Sequence, residues 1–276
     1  MPRPPAGAEA LINILTFFNH AGGVGKSSTA RDVAYLLGER GLKVLLIDAD
    51  PQANLTEWLG LTDDVPLERT IYPALIDEGG PEEVADLALP EPLRVHGLDF
   101  IPSTLELAAA EQRLVGEVDG VRRLNEAVRR LGGYDFVLID PSPSLGMLSS
   151  CCTVAADFVV VPLPPNSKGR KGLPTILTTI RRFRRVNPKL RLLMAVITNR
   201  ENTRQDREML ELYREKLGAV MPLSSPLAHR PAVFRNAEHA GQPIPVFEPG
   251  GEADREIRTV VGELLAALSG AKGGTP

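Results

Sequence analysis

The stretch FFNHAGGVGKSSTARDVAYLL, residues 17–37, constrains this chain more than any other. Gly22, Gly23 and Gly25 run directly into Lys26 and Ser27, between an apolar run and a segment of helical periodicity. Glycine removes the Cβ where backbone must come close to a ligand, and loop amides gathered at a helix N-terminus converge on an anion. The general phosphate loop reads G-x-x-x-x-G-K-[ST]. Counting back from Gly25, its first glycine falls at position 20, where this chain carries His20. The glycines are displaced, but the chemistry of a phosphate loop is complete. The backbone of Gly22, Gly23, Val24, Gly25 and Ser28 forms the cradle, Lys26 brings a charge to the β/γ phosphates, and the Ser27 hydroxyl is a Mg²⁺ ligand.

Short β-branched runs alternate with helix-length periodic segments along the rest of the chain, the pattern of a parallel sheet with crossover helices. Candidate strands are LINILTFF from residue 11, KVLLID (43–48), LDFI (98–101), DFVLID (135–140), DFVVVPL (157–163), LRLLMAVIT (190–198) and GAVMPL (218–223). Ala30, Val33, Ala34 and Leu37 mark one helix face, which Gly41 is placed to end. The expected fold is α/β, a doubly wound, mostly parallel sheet with helices on both faces, of the P-loop NTPase type. The expected organisation is a single domain over 11–270, with disordered tails at 1–10 and 271–276. The stretch 59–97 is expected to hold short helical pieces at most.

A phosphate loop does not hydrolyse anything by itself. VLLIDADPQANLT ends a strand with Asp48 and Asp50, and YDFVLIDPSPSLG ends another with Asp140. At the carboxyl end of a parallel strand such acids face the ligand crevice. There they hold Mg²⁺ directly or through water in phosphoryl transfer, or they cap a turn.

The composition excludes several classes. Mean hydropathy is -0.05, and no apolar run approaches the ~18 residues that span a bilayer. The only cysteines, Cys151 and Cys152, are adjacent in a predicted helix, where a disulfide is strained; this fits a reducing compartment. The net charge of -4 hides an asymmetry: residues 57–120 hold 15 acids against 3 arginines, and 168–235 hold 16 bases against 5 acids. Either the two halves are solvated faces that neutralise each other, or the basic half offers a surface to a polyanion, including KGRK at 168–171 and RRFRR at 181–185, where Arg181, Arg184 and Arg185 form a helical stripe.

The pattern N-x-x-G-G-V-G-K-S-S, followed by GLKVLLIDADPQANLT, YDFVLIDPSPSLG and FRNAEHAGQPI, resembles the ParA-type partition ATPases of the deviant Walker A group, which also contains MinD. The displaced glycines are that group's own spacing. The resemblance implies a homodimer that sandwiches two ATP molecules with Mg²⁺, binds double-stranded DNA without sequence preference, and is stimulated by a ParB-type partner. It implies phosphate binding by Lys26, orientation of the attacking water by Asp50, metal contact by Ser27 and metal support from Asp48 and Asp140. Thr198 and Asn199 would lie near the adenine, and Arg200, Arg204, Arg230 and Arg235 would contact DNA. A cytoplasmic, nucleoid-associated location follows. The family's lysine before the glycine pair, which reaches the partner's ATP, is Ala21 here. Either another residue supplies the trans charge, with His20 and nearby arginines as candidates, or the protein is a slow or inactive hydrolase that retains an ATP-dependent conformation; slow, partner-dependent hydrolysis is the expectation.

Alternatives are an ATP-binding regulator with little hydrolysis, a protein-cargo ATPase, and a membrane-positioning ATPase like MinD. The last requires a basic amphipathic C-terminal helix, whereas TVVGELLAALSGAKGGTP carries Glu263 within its apolar run. A cluster-bearing reductase of the nitrogenase iron protein type needs separated cysteines. About ten residues precede the first strand, too few for a DNA-reading module, so operator binding is not expected.

Overall fold

The computed structural model describes residues 12–61, 65–76 and 87–273. The expected 1–10 tail lies outside these residues, as does Leu11 of the first strand. The described chain forms β1 (Asn13–Phe17), α1 (Lys26–Glu39), β2 (Val44–Ala49), α2 (Asn54–Glu57), β3 (Leu93–Val95), β4 (Leu98–Ile101) and α3 (Leu107–Val115). There follow α4 (Arg123–Arg129), β5 (Phe136–Pro141), α5 (Met147–Ala155), β6 (Phe158–Leu163), α6 (Ser167–Phe183) and β7 (Arg191–Ile197). The C-terminal quarter is helical: α7 (Arg204–Leu217), α8 (Pro231–His239), α9 (Ile244–Phe247) and α10 (Glu252–Gly273).

The strands make one seven-stranded sheet in the order β3-β4-β2-β5-β1-β6-β7. All neighbours are parallel except the β3–β4 hairpin at one edge. Alternate strand residues feed two cores, as a pleat of period two requires. Leu45, Ile47, Val137 and Ile139 pack with α3 to α7 on one face. Leu46, Phe136 and Leu138 pack with α1, α8, α9 and α10 on the other. The expected doubly wound class is the observed one. Because β1 lies between β5 and β6 while its own crossover leads to β2, the connections diverge around β1. Ligands bind at such a point, outside the carboxyl ends of the strands.

Six of the seven expected strands form. The 218–223 segment does not. Gly218 ends α7, and beyond it only Leu223 bridges β7, at Ala195. Pro222 and Pro226 lack the N–H that would continue a ladder, and the Ser224 Oγ takes over as acceptor for the Ile197 N–H at 2.9 Å. The sequence reading also passed over β3, whose three residues are half-buried or exposed at the sheet edge. Among the described residues between 59 and 97, the helical pieces are two 3₁₀ turns, Leu67–Arg69 and Tyr72–Ala74. The C-terminal helix runs to Gly273, past the expected boundary at 270. The arginine stripe is cut short because α6 ends at Phe183, and Arg184 turns its Nε to the Leu190 carbonyl at 2.9 Å. Gly41 closes α1 as expected: the Gly41 N–H bonds the Gly38 carbonyl and the Leu42 N–H the Leu37 carbonyl.

The turn after α8 fixes that helix against the loop that follows α2. Gly241 has φ +64, and a Cβ there would stand 2.9 Å from the Gly60 Cα. A backbone atom cannot step aside as a flexible side chain can. Gly241→Ala is expected to destabilise the protein by about 2 kcal/mol or more, the left-handed penalty plus the clash. Gly41→Ala, at φ +82 with open space around it, should cost about 1–2 kcal/mol. Urea midpoints of the two variants test this order.

Candidate nucleotide site

The loop after β1 is held from both sides. The Asn19 Nδ2 donates to the Pro162 carbonyl of β6 at 2.8 Å, and its Oδ1 accepts from the Ala21 N–H at 3.0 Å. From β7, the Thr198 Oγ1 donates to the Val24 carbonyl at 2.8 Å and the Asn199 Nδ2 to the Gly23 carbonyl at 3.3 Å. Gly25, at φ 84 and ψ 25, turns the chain into α1 in a left-handed conformation suited to glycine. No side chain caps that helix, so its first amides keep their donors for a ligand.

Lys26 opens α1 and is buried. Burial lowers its pKa, while the carboxylates of Asp140 and Asp50 pull the other way. Asp48 and Asp140 stand opposite each other on β2 and β5, both fully buried. Asp48 uses both oxygens: Oδ1 accepts from the Asp50 N–H at 3.1 Å, and Oδ2 from the Thr56 N–H and Oγ1 at 2.9 and 2.8 Å. It thereby ties down the loop that carries Asp50. Burial, then the neighbouring Asp140, pushes its pKa up to about 8. Asp50 itself is buried, its Oδ1 accepting from the Gln52 N–H at 3.0 Å.

Asp140 differs from Asp48 in one respect that matters. Among the described residues neither of its oxygens meets a donor in full hydrogen-bond geometry, and burial pushes its pKa up to about 7 against the pull of the nearby Lys26 charge and Ser27 hydroxyl. A buried carboxyl without partners costs about 1–3 kcal/mol or more, and a cation bound with phosphate removes that cost. These donors fit Mg²⁺ held with a nucleotide. Among the described residues no three His, Cys, Asp or Glu side chains gather as a metal cage, in keeping with an ion that takes one or two protein oxygens and fills its shell with phosphate and water.

A cavity of about 400 Å³ extends from this loop. Gly22, Gly23, Gly25, Lys26, Ser27, Ser28, Asp50, Thr198 and Asn199 line it, so these expected residues share one space. The sequence reading missed the other wall, where Leu227, Arg230, Phe234 and Glu238 meet Trp58 and the α10 residues Ile257 and Val260. FRNAEHAGQPI was visible as a segment, but nothing in it announced a helix face turned to a cavity.

The four arginines fall at the same end of the sheet and differ in availability. Arg204 is 89% exposed, paired among the described residues only with Glu208 on its own helix, and Arg235 is exposed on α8. Arg200 donates to the Asn202 Oδ1 at 2.6 Å. Arg230 is engaged: Nη1 reaches Glu256 at 2.6 Å and Nη2 reaches Glu252 at 2.9 Å, and these hydrogen bonds raise its pKa further. The expectation of a free phosphate contact does not suit Arg230, whose charge is already paired. His20 packs against Gly172 of α6, its Nδ1 buried without a partner among the described residues. Cys151 and Cys152 are free and buried in α5, and burial pushes the Cys151 thiol up to about 12.

The fold, the uncapped glycine loop and the strand-end acids define a P-loop nucleoside triphosphatase. Residues 12–192 match the AAA domain family model. The chain is 37% identical over 262 residues to a probable plasmid-partitioning protein ParA of Thermus thermophilus, covering 92% of this chain and 77% of that one. It is 34% identical to the chromosome-partitioning ATPase Soj of the same organism, covering 90% and 95%. Among solved structures, cobyrinic acid a,c-diamide synthase of Mycobacterium smegmatis with bound ADP and magnesium superposes with a TM-score of 0.78 at 26% identity, covering 96% and 100%. The chain belongs to the ParA/Soj family of partition ATPases.

The partnerless Asp140 makes a pH prediction. A carboxyl whose pKa is raised in the folded state binds its proton more tightly folded than unfolded, so stability falls as pH rises from the unfolded value of 3.8 through about 7. In nucleotide-free protein with chelator, urea midpoints should drop between pH 5 and pH 9, and Asp140→Asn should flatten that drop while weakening Mg²⁺-nucleotide binding.

Proposed function

We propose that this protein is an ATP-driven partition switch that binds ATP and Mg²⁺, dimerises around them and holds DNA without reading its sequence. The observation that carries this reading is the junction of an uncapped phosphate loop with a partnerless Asp140. In hydrolysis, the loop amides and Lys26 hold and neutralise the phosphates, and Asp50 orients the attacking water. The metal supplies charge stabilisation on the β/γ oxygens when bound. Ser27 and Asp140 would hold it, with Asp48 keeping the Asp50 loop in place.

Arg200, Arg204 and Arg235 are assigned to DNA phosphates, with affinity falling steeply in salt through counterion release. Arg230 is assigned instead to the cavity wall. The cargo is a chromosome or plasmid, in line with the ParA and Soj relatives, and a ParB-type protein stimulates turnover. Among the described residues no helix is long and apolar enough to cross a membrane. The apolar stripe of α10, including Ile257, Val261 and Leu264, is buried in the core, which supports a reading without membrane attachment. With Ala21 in place of the family lysine, hydrolysis is slow and partner-dependent.

Binding to random-sequence duplex DNA in the apo, ADP and ATP states at two salt concentrations tests the switch. Binding confined to ATP and weakened roughly tenfold or more by salt is expected; no binding in any state would leave an ATP-binding regulator as the reading. In the same preparations Ala21→Lys should raise phosphate release about tenfold or more. Unchanged turnover and dimerisation would show that position 21 does not limit the reaction.

A further inference from the structure

The α8 wall of the cavity carries a group that phosphate chemistry leaves unused. Pro231, Phe234, Arg235 and Glu238 all line the cavity, at the spacing of one helical stripe. Asp32 and Val33 of α1 line it too, six and seven residues beyond Lys26, which places them about 9–10 Å along the helix from the phosphate loop. Phe234, Val33, Ile257 and Val260 make this end apolar. A nucleotide with its phosphates on the loop extends its base into such a slot, where a few polar groups among apolar walls fix orientation and choice.

Two carboxyls reach this end, and one is already taken. Asp32 Oδ1 accepts from the Arg31 Nε at 2.9 Å and the Ile244 N–H at 3.0 Å, and its Oδ2 accepts from the Arg31 Nη2 at 3.3 Å. Glu238, half-buried, makes no ion pair and no side-chain hydrogen bond among the described residues. Burial holds its carboxyl above the usual range. An acceptor left open in a partly desolvated slot is costly until a donor meets it.

We propose that Glu238 is a specificity-determining residue of the nucleotide site, accepting a hydrogen bond from the exocyclic amino group of adenine and so selecting a 6-amino purine over a 6-oxo purine. This rests on the reading of the cavity as an ATP site. Adenine presents a donor at C6; hypoxanthine presents a carbonyl oxygen there, whose lone pairs oppose those of the carboxyl. A site built to pair with a ligand donor rejects the analogue that lacks it, because its own polar group is then stranded.

Equilibrium affinities for ATP and for inosine triphosphate, with Mg²⁺ and the same triphosphate chain, test this directly. The wild-type protein should prefer ATP by roughly 10- to 100-fold. Glu238→Gln, whose amide can donate to a carbonyl or accept from an amine, should shrink that ratio about tenfold or more and retain binding of both. Phe234→Ala should weaken both nucleotides together, because an apolar wall does not read C6. An unchanged ATP-to-inosine triphosphate ratio in Glu238→Gln, or an equal loss for both nucleotides, would overturn the role of Glu238 while leaving the ATP site in place. Failure of the wild-type protein to bind either nucleotide would instead overturn the site itself.

Discussion

The N-terminus of α1 meets the carboxyl end of the sheet with its first amides uncapped, and the site depends on that junction. Among the described helices side chains cap α6 and α7, where Asn166 accepts from the amides of Lys168 and Gly169 and Thr203 from that of Asp206. The start of α1 at Gly25, like those of α2, α3, α4, α5, α8 and α9, has no side-chain cap. The left-handed turn aims free donors at the space where Lys26, Asp50 and Asp140 converge. Burying Lys26 and Asp140 there without full pairing costs stability, of the order of a few kcal/mol. In the proposed site a phosphate chain with its cation would meet these open groups.

The surrounding contacts hold that junction rigid. Asn19 anchors the loop to β6, Thr198 and Asn199 anchor it to β7, and Asp48 fastens the Asp50 loop through Thr56. The Ser103 Oγ, beyond β4, closes the set by donating to the Asp50 carbonyl at 2.5 Å. The parallel strands, but not the edge strand β3, thus bring polar groups to the loop region, as the divergence of connections around β1 allows. Across the cavity, α8 is held by Arg230 to α10 and by Gly241 to the loop after α2. The two walls belong to different segments, so a ligand that touches both couples the phosphate loop to the arginine-bearing C-terminal part.

Much of this was legible in the sequence because it is local. The glycine loop, the strand-end acids and six strands are written in short runs of four to ten residues, where period and residue type decide structure. What stayed hidden depends on partners distant in the chain. Nothing near Arg230 shows that Glu252 and Glu256 neutralise it, and a one-turn face such as Phe234 and Glu238 reads as an ordinary amphipathic helix until a cavity appears beside it. Thr198 and Asn199 were placed near the nucleotide by resemblance; their geometry adds that they clamp the loop. GAVMPL had the composition of a strand but lacked the donors to propagate one, since proline interrupts it, and β3 was too short and too exposed to carry a periodic signal.

The central claim is that the uncapped loop and the partnerless Asp140 are built for a nucleotide together with its cation. The most direct measurement is thermal unfolding of the wild-type protein with ATP and Mg²⁺ together, with ATP plus chelator, and with Mg²⁺ alone. The account predicts a rise of several degrees with ATP and Mg²⁺ at concentrations about 100-fold above Kd, a smaller rise without the cation and almost none with Mg²⁺ alone. The same transition temperature in all three conditions would contradict it.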